Sequence, residues 1–501
     1  MNMDKALKRV TLVAMLLIFA LMVNINYIQG SQADNLSKNQ KNARRYGDVF
    51  GYDRGKILAG NLELAFTKPI GNTKTSKNRK YQRVYNEGTI FSPVTGFFSG
   101  GTGLKSGLEQ SYDSLLDGRD KRQSTKSWFD SFVGKKAAGA DVYTTIDPKA
   151  QRAAYAALKQ ETLRRGAAVV MDIKTGAIKV AASYPSYDTN TVAGHDTAAA
   201  KELNRLDNET KPTLNGQPNP NFKSSTPFLN KALSEVFPPG SSFKSVVASA
   251  FLQDGHDKNT LVPAPFEFPV PGSTRLVHND AGGICGSAQS PLIGTFAESC
   301  NTTYALLGLR TDLLGPVKVA AEAKKYGFYD QIPIEPDLFA PPSSYPDKQG
   351  PAAVFLGSFG QGETKASPLQ MAMVASGIAN NGKLMKPYLV QDVKTKGESL
   401  YSANPEEFSK PLSSASAADL QDMMREVVRT GTAKNLNGTG IAGKTGTAEL
   451  DGNRRGLWFV GFYPSQAPKY GFAIMIEGTK GDFGATKSGP VAVSITRALG
   501  Q

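Results

Sequence analysis

The order of segments along the chain predicts an α+β fold: an antiparallel sheet flanked by helices with a helical subdomain, preceded by a membrane anchor and a small β-rich N-terminal domain. Three observations predict it. An apolar run opens the chain, strand-length apolar runs are paired across Gly- or Pro-bearing turns far apart in the sequence, and helical patterns stand before, between and after those pairs. The first and last thirds therefore share one sheet beside a long helical middle. At 501 residues, 40% hydrophobic and 20% charged, the chain has material for more than one core, and disordered, collagen-like and disulfide-scaffold classes are excluded.

The first element is residues 10–28, nineteen positions of which only Thr11, Asn24 and Asn26 are polar. As a helix it spans roughly 28 Å, close to the ~30 Å hydrocarbon core of a bilayer. Lys5, Lys8 and Arg9 precede it, which puts residues 1–9 in the cytoplasm and the rest outside, as a single-pass protein of the cell membrane. A cleavable signal peptide, with Ser31-Gln32-Ala33 as a small-x-small site, is the alternative. Both readings export the bulk of the chain, to a place without an ATP supply where disulfides persist.

Residues 30–140 form an N-terminal domain, irregular and β-leaning, with a Gly/Asn/Lys-rich stretch at 71–78. The texture changes at Asp141, where a second domain, 141–501, begins. Asp147-Pro148 caps and opens an amphipathic helix running from Ala150 to about Leu163. Residues 167–172 and 177–182 around Gly176 read as a hairpin, 457–463 and 470–476 as a second antiparallel pair, and 491–499 as a closing helix.

Charge and metal-ligand counts remove other classes. Of the net charge of +14, residues 1–140 carry 22 basic and 11 acidic side chains, leaving 36 and 33 for the rest, which is nearly neutral. No nucleic-acid partner is implied; the basic segment reads as solvated surface or as attraction to anionic lipid or wall polymer. Cys285 and Cys300 are too few for a four-thiolate site, and His195, His256 and His278 follow no HxxxH or HExxH spacing. Neither a metal nor another cofactor is expected.

The chemistry sits in three short segments. Pro238-Pro239-Gly240 delivers Ser241 to the start of a helix at 242–253, and Lys244 lies one turn further on the same face. A serine hydroxyl becomes a nucleophile when a base takes its proton, and an amine beside a positively polarised helix N-terminus is inclined to be neutral. Ser299-Cys300-Asn301 offers a hydroxyl that passes a proton and an amide that both donates and accepts. Gly443-Lys444-Thr445-Gly446-Thr447 places a cation and hydroxyls on an edge strand, suited to a carboxylate, with Gly446 admitting a ligand backbone. Each has a plain reading too: a helix cap beside a surface lysine, a polar turn, a lysine guarding a strand edge. Residues 438–445, GTGIAGKT, also match the GxxxxGK[ST] phosphate loop, but lack the preceding strand and following helix that motif requires.

In this order the three segments resemble the penicilloyl-serine transferases. Arg54-Gly55-Lys56-Ile57, Thr144-Thr145-Ile146-Asp147 with Gln151, and Gly360-Gln361-Gly362 with Pro368-Leu369-Gln370 extend the resemblance to class B penicillin-binding proteins over nearly the whole chain. The compact N-terminal region and the SCN form of the second motif are most similar to the short actinobacterial form, penicillin-binding protein A. The resemblance implies a serine D,D-transpeptidase that cross-links peptidoglycan stem peptides through an acyl-enzyme, is inhibited by β-lactams, and serves cell-wall synthesis and division. It implies Ser241 as nucleophile, Lys244 as base, Ser299 as proton relay and Asn301 as substrate holder. Lys444, Thr445, Gly446 and Thr447 become the carboxylate site, and the N–H groups of Ser241 and Thr447 the oxyanion hole. A membrane glycan polymerase and division proteins are the implied partners. Cys285 and Cys300, fifteen residues apart and exported, are expected to form a disulfide worth roughly 3 kcal/mol, against the alternative of two buried thiols.

Rival readings are a D,D-carboxypeptidase, a β-lactamase-like hydrolase with Glu335 as water activator, and a divisome scaffold or β-lactam sensor. A bifunctional enzyme with a glycosyltransferase domain would not fit into the 30–140 segment.

Overall fold

The computed structural model describes residues 3–28, 32, 53–70, 81–124, 139–162, 164–214, 216–279, 283–395 and 398–500. Ser31 and Ala33 of the alternative signal cleavage site and the stretch at 71–78 lie outside the described residues. Two compact units separate: Met1–Asp53 with Pro69–Gln82, and Arg54–Lys68 with Arg83–Gln501.

The first unit holds the expected apolar helix, Met3–Tyr27, of which Leu7–Tyr27 is long and apolar enough to cross a membrane. Its apolar side chains are exposed, and its polar ones turn inward on the helix: Thr11 Oγ1 donates to Leu7 O at 3.0 Å and Asn26 Nδ2 to Met22 O at 2.8 Å. Satisfying hydroxyl and amide within the helix is what a hydrocarbon environment demands.

The second unit is built on a five-stranded antiparallel sheet: β1 (Gly166–Asp172), β2 (Ile178–Tyr184), β3 (Ala442–Glu449), β4 (Arg454–Tyr463) and β5 (Tyr470–Thr479), in the order β3-β4-β5-β1-β2. The two ends of the chain thus meet in one sheet, as the pattern predicts, with Tyr470 opposite Asp172 and Ile476 opposite Gly166. Continuous burial along β4 and β5 shows that both faces are covered. Helices α1 (Pro148–Glu161), α2 (Lys244–Gln253), α3 (Asn301–Leu309), α4 (Pro368–Ala379), α5 (Ser414–Arg429) and α6 (Gly484–Leu499) pack around it. Asp147 caps α1 by accepting from Ala150 N at 2.9 Å. Gln151, fully buried, joins that helix to β2 by exchanging hydrogen bonds with Ala181 and donating to Ile90 O.

A second sheet runs through the N-terminal region. Ile57–Ala59 pairs antiparallel with Leu62–Pro69 and parallel with Asp141–Thr144, which in turn pairs with Val390–Thr395. Buried Arg54 and Arg83 share the buried carboxylate of Glu109, and Arg54 also reaches Asp113 at 2.8 Å. The arginine of the RGxI segment is therefore an internal tie.

Two elements differ from the sequence reading. The segment expected as one helix from 242 starts as a 3-10 turn, Gly240–Phe243, and becomes α-helical only at Lys244. The closing helix begins at Gly484 rather than 491, because Pro490 sits inside it instead of ending it.

Candidate active site

Ser241 stands on the 3-10 turn, half-buried, at the head of a helix buried from Lys244 to Leu252. Glycines let three backbones meet under it. Gly240 has φ +54°, and a Cβ there would lie 2.5 Å from Thr447 O; one on Gly360 would lie 2.0 Å from Gly240 O; one on Gly446 would lie 2.6 Å from Pro239 O. Gly240 N donates to Gly360 O at 2.9 Å, and Trp458 Nε1 donates to Pro238 O at 2.8 Å, which fixes the approach to the turn.

Lys244, fully buried, donates from Nζ to Ser299 O at 2.6 Å, Ser299 Oγ at 3.1 Å and Asn301 Oδ1 at 2.8 Å. Lys444, equally buried, donates to the same Ser299 Oγ at 2.8 Å and to Thr445 O at 3.2 Å. The amines pack over the rings of Tyr304 and Phe296 respectively. One hydroxyl thus lies within hydrogen-bond reach of two amines, able to accept from one and donate to the other. Ser299 itself has φ +62°, a left-handed conformation costing a non-glycine residue about 1–3 kcal/mol and kept only where neighbours impose it.

The third segment is β3, the edge of the sheet, in register with β4 so that Lys444 faces Val460 and Thr447 faces Leu457. Thr445 Oγ1 lies 2.6 Å from Thr432 Oγ1, and Thr447 is half-buried. The phosphate-loop reading ends here, since residues 442–449 are strand. Cys285 and Cys300 form a disulfide with Cα atoms 5.3 Å apart, joined directly to Ser299 and Asn301.

Among the described residues, no group of acidic, histidine or cysteine side chains is arranged to hold a metal. Glu335, the candidate water activator, serves elsewhere: its carboxylate accepts from Leu389 N at 2.7 Å, Val390 N at 2.8 Å and Tyr112 Oη at 2.5 Å.

A family profile described as the penicillin-binding protein transpeptidase domain matches residues 166–498, and one described as the penicillin-binding protein A dimerisation domain matches 54–142. The chain belongs to the class B penicillin-binding proteins. Over 99% of its length it is 35% identical to the peptidoglycan D,D-transpeptidase PbpA of Mycolicibacterium smegmatis, covering 98% of that protein. It is 32% identical to the PbpA of Mycobacterium tuberculosis, again over 99% of this chain and 98% of the relative. The crystal structure of the M. tuberculosis protein superposes with a TM-score of 0.80 at 30% identity, covering 90% of this chain and 100% of that one. A second structure of that protein, at 31% identity, TM-score 0.80, 91% of this chain and 100% of that one, is an imipenem acyl-enzyme complex.

Two contributors to this penicillin-binding site escaped the sequence reading. Asn279 Oδ1 accepts from Asn301 N at 2.6 Å and Thr302 N at 3.2 Å; nothing local marks it, since its partners lie over twenty residues away. Gln361 donates to Thr447 O and accepts from Glu449 N, both at 3.3 Å, bridging alternate residues of the β3 edge. The Gly360-Gln361-Gly362 motif pointed to the place but not to the side chain's part in it.

Proposed function

We propose that this penicillin-binding protein is a serine D,D-transpeptidase in which Ser241 attacks the penultimate D-Ala carbonyl of a stem peptide. The observation that carries the reading is the meeting of Lys244 and Lys444 on Ser299 Oγ, Lys244 standing three residues after Ser241 where the 3-10 turn becomes α2. Acylation needs a neutral amine to take the Ser241 proton, and a second ammonium against the same hydroxyl favours that state. The C–N bond to the terminal D-Ala breaks as Oγ forms the ester. The proton passes from Lys244 through Ser299 to the departing amine, and an amine from a neighbouring strand then displaces Ser241. The N–H groups of Ser241 and Thr447 take the oxyanion. Lys444, Thr445, Gly446 and Thr447 hold the terminal carboxylate, and Asn301 holds both Lys244 and the substrate amide.

Lys5, Lys8 and Arg9 ahead of the apolar helix support a cytoplasmic N-terminus and an external catalytic domain at 141–501, with 30–140 as a distinct non-catalytic domain. That region, matched by a dimerisation profile, is the surface through which we place contact with a membrane glycan polymerase and division proteins.

Intact mass after treatment with a labelled penicillin tests the reading. Wild type gains the mass of one penicillin and Ser241→Ala gains none; equal labelling of both discards it.

A further inference from the structure

We propose that Asn279 is a positioning residue for acylation, capping α3 from a distant part of the chain and so setting where Ser299 and Asn301 stand. The inference rests on the roles given to those two residues above.

A helix N-terminus leaves N–H groups unpaired, and the residue just before it normally answers them with its own side chain. Here that residue is Cys300, whose sulfur is committed to Cys285 and which makes no capping bond. Asn279, 5% exposed, supplies the cap instead, with Oδ1 2.6 Å from Asn301 N and 3.2 Å from Thr302 N. Its Nδ2 donates to Pro265 O at 2.9 Å, Cys285 O at 2.8 Å and Thr302 Oγ1 at 2.9 Å. One buried carboxamide therefore joins strand end, disulfide and helix start.

The geometry explains why this matters for the chemistry. Ser299 adopts φ +62°, a conformation its own residue type does not favour, and the peptide chain leaving it must be held from the far side. Lys244 grips Ser299 O from one side, and Asn279 grips Asn301 N from the other. His278 O, adjacent to Asn279, also accepts from Asn301 Nδ2 at 3.2 Å, which fixes the amide so that its oxygen faces Lys244. Without the cap, the hydroxyl between two amines and the oxygen on Lys244 both lose their placement.

The test is the kinetics of acylation by a fluorescent penicillin in the full-length protein, separating the acylation rate constant from the dissociation constant of the preceding complex. Asn279→Ala is expected to slow acylation roughly ten- to a hundredfold with the dissociation constant little changed. Asn279→Asp, which keeps the acceptor and loses the donors, is expected to melt earlier yet acylate within about threefold of wild type. Thr302→Val, which removes a partner of Asn279 but leaves the cap, is expected to lower Tm without slowing acylation. Wild-type speed in Asn279→Ala, or an Asp variant as slow as the Ala variant, overturns the proposal. If Asn279→Ala yields no folded protein, the Asp variant decides alone, and slowing beyond about threefold overturns it. Labelling of Ser241→Ala in the same assay would instead overturn the proposed function.

Discussion

Ser241 and Ser299 are two half-buried hydroxyls of one site, held in opposite ways. Beneath Ser241 the fixing is done by absent atoms: Gly240, Gly360 and Gly446 let three backbones approach to distances that any Cβ would forbid. Around Ser299 it is done by added bonds, with a disulfide at Cys300, a lysine on the Ser299 carbonyl and a carboxamide on the N–H of Asn301. The Ser241 turn is therefore rigid against any enlargement. The Ser299 segment is held by separate ties, each of which can be removed by itself.

That contrast can be broken most severely through Lys244, which grips Ser299 and is the proposed base for Ser241. Lys244→Met removes the proposed base and the grip on Ser299 O together, and acylation by labelled penicillin should fall by roughly 10²–10⁴-fold; a fall of less than tenfold would contradict the role. Gly240→Ala comes next. Its methyl would meet Thr447 O at a φ of +54°, and a loss on the order of 10²-fold is expected with the far-UV spectrum retained. Wild-type acylation would show that the turn is not rigid.

The disulfide tests the Ser299 side. Reduced protein, or Cys285→Ser with Cys300→Ser, should lose roughly 3 kcal/mol of stability in urea, while acylation slows less than it does in Gly240→Ala. The reverse ranking would invert the comparison. Thiol labelling of denatured, unreduced protein should find no free cysteine, and two labelled thiols per chain would remove the bridge.

The smallest effect comes from a third fully buried lysine. Lys231 donates only to backbone carbonyls of Pro185, Thr226 and Leu229, and burial pushes it down from 10.5 to about 8. Between those values the unfolded chain carries a proton that the folded chain has released, so Lys231 makes stability rise with pH across that window, by up to about 3 kcal/mol. Lys231→Met should flatten the rise between pH 8 and pH 10 relative to wild type. Parallel curves would refute it.

What the sequence made legible follows the range of the forces involved. The Asp147 cap and both hairpins are local, and the structure keeps them. The pairing of the disulfide was readable from two cysteines in an exported segment. Asn279 was not, because a capping residue is recognised by standing next to its helix. The parallel pairing of Ile57–Ala59 with Asp141–Thr144 was hidden in the same way, as was the early start of α6, where Pro490 reads as a terminator.

The strand Asp141–Thr144 lies between Ile57–Ala59 on one side and Val390–Thr395 on the other. A truncation beginning at residue 141 would strip hydrogen-bonding partners from one edge of that strand and take Tyr112 from the buried carboxylate of Glu335. Such a fragment would present a sticky ribbon to its neighbours. Soluble versions for crystallography or inhibitor screening are better begun ahead of Arg54, which keeps Ile57–Ala59 beside Asp141–Thr144.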